Sequence, residues 1–218
     1  MHRVRVWDAP TRVFHWLLFA VVAGLLVTAN LGGNWMNWHL RLGYGALGLL
    51  LFRLVWGFLG GYWSRFAQFL YGPSALVGYW RGLAPPSHRV GHTPLGALSV
   101  FALLAVLAAQ VGSGLMSDDA IAFFGPLVRF VSSDSVELAT WYHKEVGRFL
   151  VIGLVVLHLM AIAYYRLVRR QHLTSAMWTG QKMLDFPAPE SADTGRHRLL
   201  AAGVAAGCAG VAAWVAQL

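Results

Sequence analysis

The sequence predicts an all-α integral membrane protein with five transmembrane helices, the last of them at the C-terminus. Of the 218 residues, 57% are hydrophobic and only 12% are charged, which is too little charge to cover a water-soluble surface. Apolar runs of about 20 residues are long enough to cross a bilayer as a helix. The sequence contains five such runs, at residues 13–31, 40–60, 94–116, 143–165 and 198–217.

The first apolar run follows several arginines, as the apolar region of a secretory signal peptide does. Phe14, Trp16 and Phe19 lie within it, and it lacks a clean small-residue cleavage site. We therefore expect it to be retained as a span. The five runs then predict five transmembrane helices, with a polar segment over residues 169–197 between the fourth and the fifth.

Basic residues alternate from one connection between spans to the next. They precede the first span, are absent from the loop NLGGNWMNW, and return between spans 2 and 3 and again after span 4. The loop before span 4 holds Arg129 as its one basic residue, against four acidic residues. Because positively charged loops stay in the cytoplasm, we predict a cytoplasmic N-terminus and a C-terminus on the outer side. The net charge of +8 is thus a topology signal and does not indicate a nucleic-acid-binding patch.

Four histidines lie within or at the ends of the predicted spans, where apolar side chains are the rule. His39 and His143 open spans 2 and 4 on the outer side, and His15 lies just inside span 1 on the cytoplasmic side. His158 follows His143 by fifteen residues, roughly 22 Å along a helix, and so lies toward the cytoplasmic half. The four therefore form two pairs at two depths, and the inner pair needs helix tilt or a sloping ligand plane.

Two histidines that face each other from different helices of an apolar bundle are suited to hold a b-type haem. Each neutral imidazole can give a lone pair to iron. His39 and His143 are each followed four residues later by a glycine, Gly43 and Gly147, which lies one turn away on the same face and would leave room for a flat macrocycle. The sequence contains no CxxCH motif, so covalent haem attachment is not expected. A hydrogen-bonding helix contact or a proton relay is the alternative interpretation of these histidines.

Six motifs resemble, in order, the prokaryotic cytochrome b561 family, which includes the cytochrome b subunit of nickel–iron hydrogenases. They are VWDAPTRVFHW, WHLRLGYGALGLLLFRLVWGFLGG, RFAQFLYGPSALVGYWRG, GHTPLGAL, WYHKEVGRFLVIGLVVLH and MWTGQK, and the resemblance covers residues 6 to about 183. It implies two noncovalent bis-His haems b held by four helices in a bacterial inner membrane. Carried onto this chain, the ligands are His15 with His158 for the cytoplasmic-side haem and His39 with His143 for the periplasmic-side haem. The resemblance also implies a four-helix transmembrane bundle as the core, over residues 1–168, followed by a cytoplasmic linker over 169–197. The fifth span, rich in Ala and Gly, lies outside that core as an additional C-terminal transmembrane helix over 198–218.

Arg53 lies fourteen residues into span 2, where a charged side chain is costly. Its depth near the inner haem predicts that it pairs with a haem propionate, and snorkelling toward the cytoplasmic interface is the alternative. His92 precedes Thr93 and Pro94, a predicted helix start. It borders either a quinol pocket or simply the interface.

Two further expectations concern the polar connections. Residues 64–82 predict an interfacial amphipathic helix, broken at Gly72–Pro73. The remaining histidines fall in polar segments and are expected to be solvated; they are His2, His88, His172 and His197.

Protein ligands on both axial positions would close the iron to oxygen, which favours electron transfer over oxygen binding. The first functional hypothesis is an electron-transfer subunit that joins the quinone pool to a periplasmic dehydrogenase, hydrogenase or c-type cytochrome, with the acidic loop 117–140 as docking surface. A standalone superoxide:quinone oxidoreductase is the second hypothesis, and a His-based proton or solute transporter is the third. The expected partners are membrane lipid, quinone or quinol and a periplasmic redox protein, without nucleic acid. A subunit is favoured over a standalone enzyme.

Overall fold

Five helices of the computed structural model, which describes residues 1–218, are long and apolar enough to cross a membrane. They are α1 (Ala9–Leu31), α2 (Met36–Leu59), α4 (Pro94–Leu115), a continuous helical stretch over Ser133–Leu167, and α8 (Gly195–Val215). Large apolar side chains such as Phe58, Leu157 and Trp214 are exposed on them, as expected of helices whose surface faces lipid. The predicted all-α membrane class is confirmed.

Shorter elements lie between and beside the spans. The stretch over Ser133–Leu167 is made of α5 (Ser133–Trp141), a π-helical segment (Tyr142–Gly147) and α6 (Arg148–Leu167). The remaining elements are α3 (Pro73–Trp80), α7 (Leu173–Thr179), β1 (His2–Arg5) and β2 (Gln181–Leu184).

Local capping chemistry explains where two of the spans begin. Asp8 precedes α1, and its Oδ1 accepts a hydrogen bond from the backbone N–H of Thr11 at 2.7 Å. Thr93 precedes α4, and its Oγ1 accepts from the backbone N–H of Gly96 at 3.1 Å. Each side chain satisfies a backbone donor that the first helical turn leaves without a partner. The helix start predicted at Thr93–Pro94 is confirmed.

The predicted interfacial helix over residues 64–82 is only partly correct. Its first half consists of 3₁₀ turns at Tyr62–Ser64 and Phe66–Gln68, separated by Arg65 in an extended conformation (φ −74°, ψ 135°) that no helix can pass through. The helix of this region, α3, begins at Pro73 directly after Gly72. The predicted break at Gly72–Pro73 is therefore the start of the helix.

The chain divides into two compact units, and the first comprises Met1–Phe14, Arg53–Ala102 and Val156–Val204. In it, β1 pairs antiparallel with β2, with His2 opposite Leu184. A core cluster lies beside this ribbon and consists of Val4, Val6, Trp7, Trp63, Val90, Ala176 and Leu184. The segment predicted as a linker, residues 169–197, thus contributes α7 and β2 to a folded unit.

The second unit comprises His15–Phe52, Leu103–Val155 and Ala205–Leu218. Here α8 packs against α2 at Gly48, where an added Cβ would lie 3.5 Å from the Cβ of Ala212 and 3.7 Å from the carbonyl oxygen of Cys208. The fifth helix therefore makes its contact in this unit through a close approach of small residues, as membrane helices commonly do.

Candidate cofactor site

The imidazole rings of His39 and His143 face each other in the second unit. Their centres are 6.1 Å apart and their planes are nearly perpendicular, at 86°. Bonds from imidazole nitrogen to a metal are about 2 Å long, so two rings that ligate one ion from opposite sides have centres roughly 6 Å apart. The observed separation suits a metal centre held between these two rings.

Hydrogen bonds at Nδ1 fix which nitrogen of each ring is available to a ligand. His39 Nδ1 lies 3.1 Å from the carbonyl oxygen of Leu25, and His143 Nδ1 lies 2.9 Å from the carbonyl oxygen of Gln110. A carbonyl oxygen only accepts, which assigns the proton to Nδ1 in both rings and leaves the lone pair on Nε2. Metal-ligating histidines typically donate their second ring N–H in this way.

The π-helical segment that carries His143 is held by Gln110. The side-chain Nε2 of Gln110 donates to the carbonyl oxygen of His143 at 3.0 Å, while the backbone carbonyl of Gln110 accepts from the ring. Gln110 in α4 is therefore hydrogen-bonded to both the backbone and the side chain of this histidine. Single π-helical turns within α-helices often occur at functional sites, and this one includes His143.

Glycines beside the pair serve different purposes. An added Cβ at Gly114 would lie 2.8 Å from the Cε1 of His143, so this glycine makes room for the ring. An added Cβ at Gly147 would lie 1.8 Å from the Oε1 of Gln110. The prediction that Gly147 leaves room for a macrocycle is therefore wrong, because the Gln110 side chain fills that space. The space beside Gly43 is open, with nothing within 4 Å of an added Cβ.

Arg53 is buried in the first unit, with 4% of its surface exposed. Its Nη2 donates to the carbonyl oxygen of Ser64 at 3.1 Å, and the guanidinium lies over the ring of Phe66, 4.5 Å from its centre. Its Nη1 is buried without a hydrogen-bond partner. Burial argues against snorkelling, and an orphaned buried donor on a cation suits a carboxylate such as a haem propionate.

Asp8 is a fully buried carboxylate that the sequence analysis did not single out. Its Oδ1 accepts from the backbone of Thr11 and, at 3.2 Å, from the Nε1 of Trp56. Its Oδ2 accepts from the backbone of Gly61 at 2.8 Å and from the hydroxyl of Ser64 at 2.7 Å. The position of Asp8 before an apolar run signals a helix cap, but its other three partners are fixed only by the fold.

The other predicted pair lies in separate units, His15 in α1 of the second and His158 in α6 of the first. Both are partly buried, and their pairing stays a prediction. His92 lies in the first unit, with its ring 4.7 Å from that of Trp7 and 4.4 Å from that of Phe69. It is therefore part of an aromatic cluster as well as a neighbour of the α4 cap.

The expectation that four polar-segment histidines are solvated is half correct. His2 and His172 are exposed. His88 packs its ring 4.6 Å from that of Tyr71, and His197 packs its ring 4.9 Å from that of Trp56. Those two rings each bury a nitrogen atom, because aromatic side chains from distant segments cover them.

The loop between α4 and α5 carries acidic groups beside an apolar depression. A cavity of about 660 Å³ lies in the second unit and is lined by Asp118, Ala120, Val128, Val131, Ser133, Val136, Glu137, Thr140 and Trp141. Hydrogen bonds from the backbone N–H groups of Phe123, Ala122 and Ile121 lower the pKa of Asp119, so this loop keeps its negative charge in mild acid. Trp141, the last of these lining residues, precedes His143 by two positions in the sequence.

Comparison with known proteins gives a family and a set of relatives. The family described as "Prokaryotic cytochrome b561" matches residues 6–180. A "Probable Ni/Fe-hydrogenase B-type cytochrome subunit" of Azotobacter chroococcum is 25% identical, covering 86% of this chain and 91% of that protein. The "Probable Ni/Fe-hydrogenase 1 B-type cytochrome subunit" of Escherichia coli K12 is 24% identical, covering 83% of this chain and 91% of that protein. No solved structure matches the chain.

Proposed function

Because the chain belongs to the prokaryotic cytochrome b561 family, we propose that it is a di-haem membrane cytochrome b that transfers electrons between the quinone pool and a periplasmic redox partner. Family membership makes it a membrane cytochrome b, and the relatives named as hydrogenase cytochrome subunits support an electron-transfer role. The number of haems, the quinone and the outer partner are the proposed part.

The observation that carries the proposal is the His39–His143 pair, with ring centres 6.1 Å apart. Both Nδ1 atoms lie within hydrogen-bonding distance of backbone carbonyls, so both Nε2 lone pairs are available for an axial bond. Haem b supplies a one-electron couple when it is bound. These two side chains would hold the iron of that haem, and two protein ligands would keep oxygen from binding to it.

For the inner haem we propose His15 and His158 as ligands and Arg53 as the partner of a propionate. The orphaned Nη1 of Arg53 supports this role, since a buried cation with a free donor needs an anion. The Nη2 of the same guanidinium donates to the Ser64 carbonyl, and the Ser64 hydroxyl donates to Asp8.

For the outer partner we propose that the docking surface is the acidic outer loop, residues 117–140. Asp118 and Glu137 line a largely apolar cavity there, which suits a basic residue flanked by apolar side chains. Such charge complementarity steers encounter between redox partners. The names of the relatives favour a hydrogenase or similar dehydrogenase as that partner, over a standalone superoxide:quinone oxidoreductase or a transporter.

The test is the haem content of the purified protein and its variants. Wild-type protein should carry about two noncovalent haems b per chain, both extractable by acid acetone. His39→Ala and His143→Ala should each remove the same spectral component, because the two rings would share one iron. His172→Ala, an exposed histidine, is the matched control and should leave both haems in place. Two ligand variants that remove different components would contradict the pairing.

A further inference from the structure

Two buried hydroxyl groups lie beside the paired histidines. Thr28 in α1 and Ser113 in α4 are 5% and 6% exposed. Thr28 Oγ1 lies 3.3 Å from the Nδ1 of His39, and Ser113 Oγ lies 3.4 Å from the Nδ1 of His143. A buried hydroxyl in a membrane span needs a polar partner, and each of these has a ligand ring among its partners.

The two hydroxyls repeat one arrangement. The Nδ1 of His39 lies within hydrogen-bonding distance of two groups of α1, the carbonyl of Leu25 and the hydroxyl of Thr28. The Nδ1 of His143 lies within hydrogen-bonding distance of two groups of α4, the carbonyl of Gln110 and the hydroxyl of Ser113. In both helices the hydroxyl follows the carbonyl residue by three positions, which places the two groups on one face. Two different helices, α1 and α4, thus offer the same kind of acceptor pair to the two histidines.

The single proton of each hydroxyl is already committed to a backbone carbonyl. Thr28 Oγ1 donates to the carbonyl oxygen of Gly24 at 2.7 Å, and Ser113 Oγ donates to that of Gln110 at 3.0 Å. Lone pairs therefore remain for the ring, and each Nδ1–H meets a second acceptor beside the carbonyl. Both hydroxyls also reach the carbonyl that accepts from the histidine, Thr28 Oγ1 that of Leu25 at 3.2 Å and Ser113 Oγ that of Gln110 at 3.0 Å. The two sites differ because the shorter bond of Thr28 goes to the carbonyl of Gly24, a separate acceptor.

We propose that Thr28 and Ser113 are positioning residues that tune the ligands of the outer haem through Nδ1, with Thr28 the stronger of the two. This inference rests on the proposed function, since it needs a haem between His39 and His143. Acceptors at Nδ1 raise the basicity of the ligating nitrogen and fix the ring orientation. A more basic ligand favours ferric iron, so these hydroxyls hold the reduction potential of the outer haem down.

Redox titration of the purified, haem-loaded protein tests the proposal with Thr28→Val, which keeps the shape and removes the hydroxyl. The outer haem should become easier to reduce, by about threefold to tenfold in the reduced-to-oxidised ratio at a fixed ambient potential, the range of one modest hydrogen bond. Thr28→Ser restores a hydroxyl and should titrate like wild type. Ser113→Ala should shift the outer haem in the same direction by less. The inner haem should be unchanged in all three variants.

The controls separate this inference from the function on which it rests. His39→Ala identifies the outer component, and its failure to remove any haem would overturn the proposed site itself. With that component identified, an unchanged outer potential in Thr28→Val would overturn the tuning role. If Thr28→Val failed to load haem, the potential of Ser113→Ala would decide, and a potential equal to that of wild type would again overturn the proposal.

Discussion

Arg53 donates from Nη2 to the carbonyl oxygen of Ser64 at 3.1 Å, and the hydroxyl of the same serine donates to Asp8 at 2.7 Å. One serine thus bridges a buried cation and a buried anion in the first unit. Two opposite charges can be buried without a large loss of stability only when both are hydrogen-bonded. If one of the two side chains is removed, the desolvation penalty of the remaining charge is no longer compensated. The spare Nη1 of Arg53 means that this network still has one donor to offer.

Removal of the carboxylate at Asp8 should destabilise the fold strongly. Asp8→Ala deletes the α1 cap and leaves buried donors of Trp56 and Ser64 without their acceptor. We expect a loss of about 3–5 kcal/mol in the free energy of unfolding, measured by thermal unfolding in detergent. Asp134→Ala, an exposed acid in the first turn of α5, is the control and should change stability by less than about 0.5 kcal/mol.

Of the two proposed haems, replacement of Arg53 should affect the inner one and leave the outer one unchanged. Arg53→Met removes the positive charge beside the proposed propionate, so the inner haem should bind more weakly or titrate at a lower potential, because ferric iron is then stabilised relative to ferrous. Arg53→Lys keeps the charge and should lie between wild type and Arg53→Met. If the affinity and the reduction potential of the inner haem were unchanged in Arg53→Met, Arg53 would not be the partner of a haem propionate.

Loss of the inner haem should block electron entry from the cytoplasmic side. In His158→Ala, a quinol analogue should no longer reduce the outer haem, whereas an outer-face reductant should still do so. In wild type either reductant should reduce both haems, because the ligand depths allow hopping between them. Stopped-flow absorbance follows each reaction. Normal quinol reduction of the outer haem in His158→Ala would place the quinone site at the periplasmic face.

Alkaline pH should stabilise the fold, because it removes the charge of the buried Lys182 ammonium and with it the desolvation penalty. Burial lowers the pKa of Lys182 to about 8 from its ordinary 10.5, although its Nζ donates to the carbonyl oxygen of Val90 at 2.8 Å and to that of Arg89 at 3.2 Å. Between these two pH values the unfolded chain binds more protons than the folded one, so stability rises with pH across that window.

The measurement for Lys182 is unfolding as a function of pH for wild type and Lys182→Met. Wild type should gain about 2 to 3 kcal/mol relative to Lys182→Met between pH 8 and pH 10.5, because the variant has no group to titrate there. The neutral amine keeps two N–H donors for the carbonyls. A constant difference between the two proteins across this range would show that the ammonium persists in the folded state.

The orientation of the chain can be read with a reporter that is active only outside the cytoplasm. A fusion after Leu218 should be active and a fusion at Gly180 silent, because basic residues cluster between the fourth and fifth spans and are retained on the cytoplasmic side. A fusion at Gly33, in the loop without Lys or Arg, is the matched positive control. Activity at Gly180 would exchange the proposed inner and outer haem sides.

Local properties of the sequence determined the class of the protein and the start of several elements. Hydropathy alone located all five spans, because a helix in lipid must carry about 20 consecutive apolar residues whatever its neighbours are. Thr93 and Pro94 marked the start of α4, since capping involves residues within one turn. Counting along the chain also placed His39 and His143 at one depth, where the structure brings their rings together.

Only the tertiary structure decided which group fills the space around those residues. Gly147 shares its spacing with Gly43, yet the Gln110 side chain from another helix occupies the space beside it. His197 lies in a polar segment, yet its ring packs against Trp56 of α2. The pairing of β1 with β2 and the partners of Asp8 likewise join residues far apart in the chain. Such contacts depend on which segments the fold brings together, and the residues next to each partner in the sequence do not determine that.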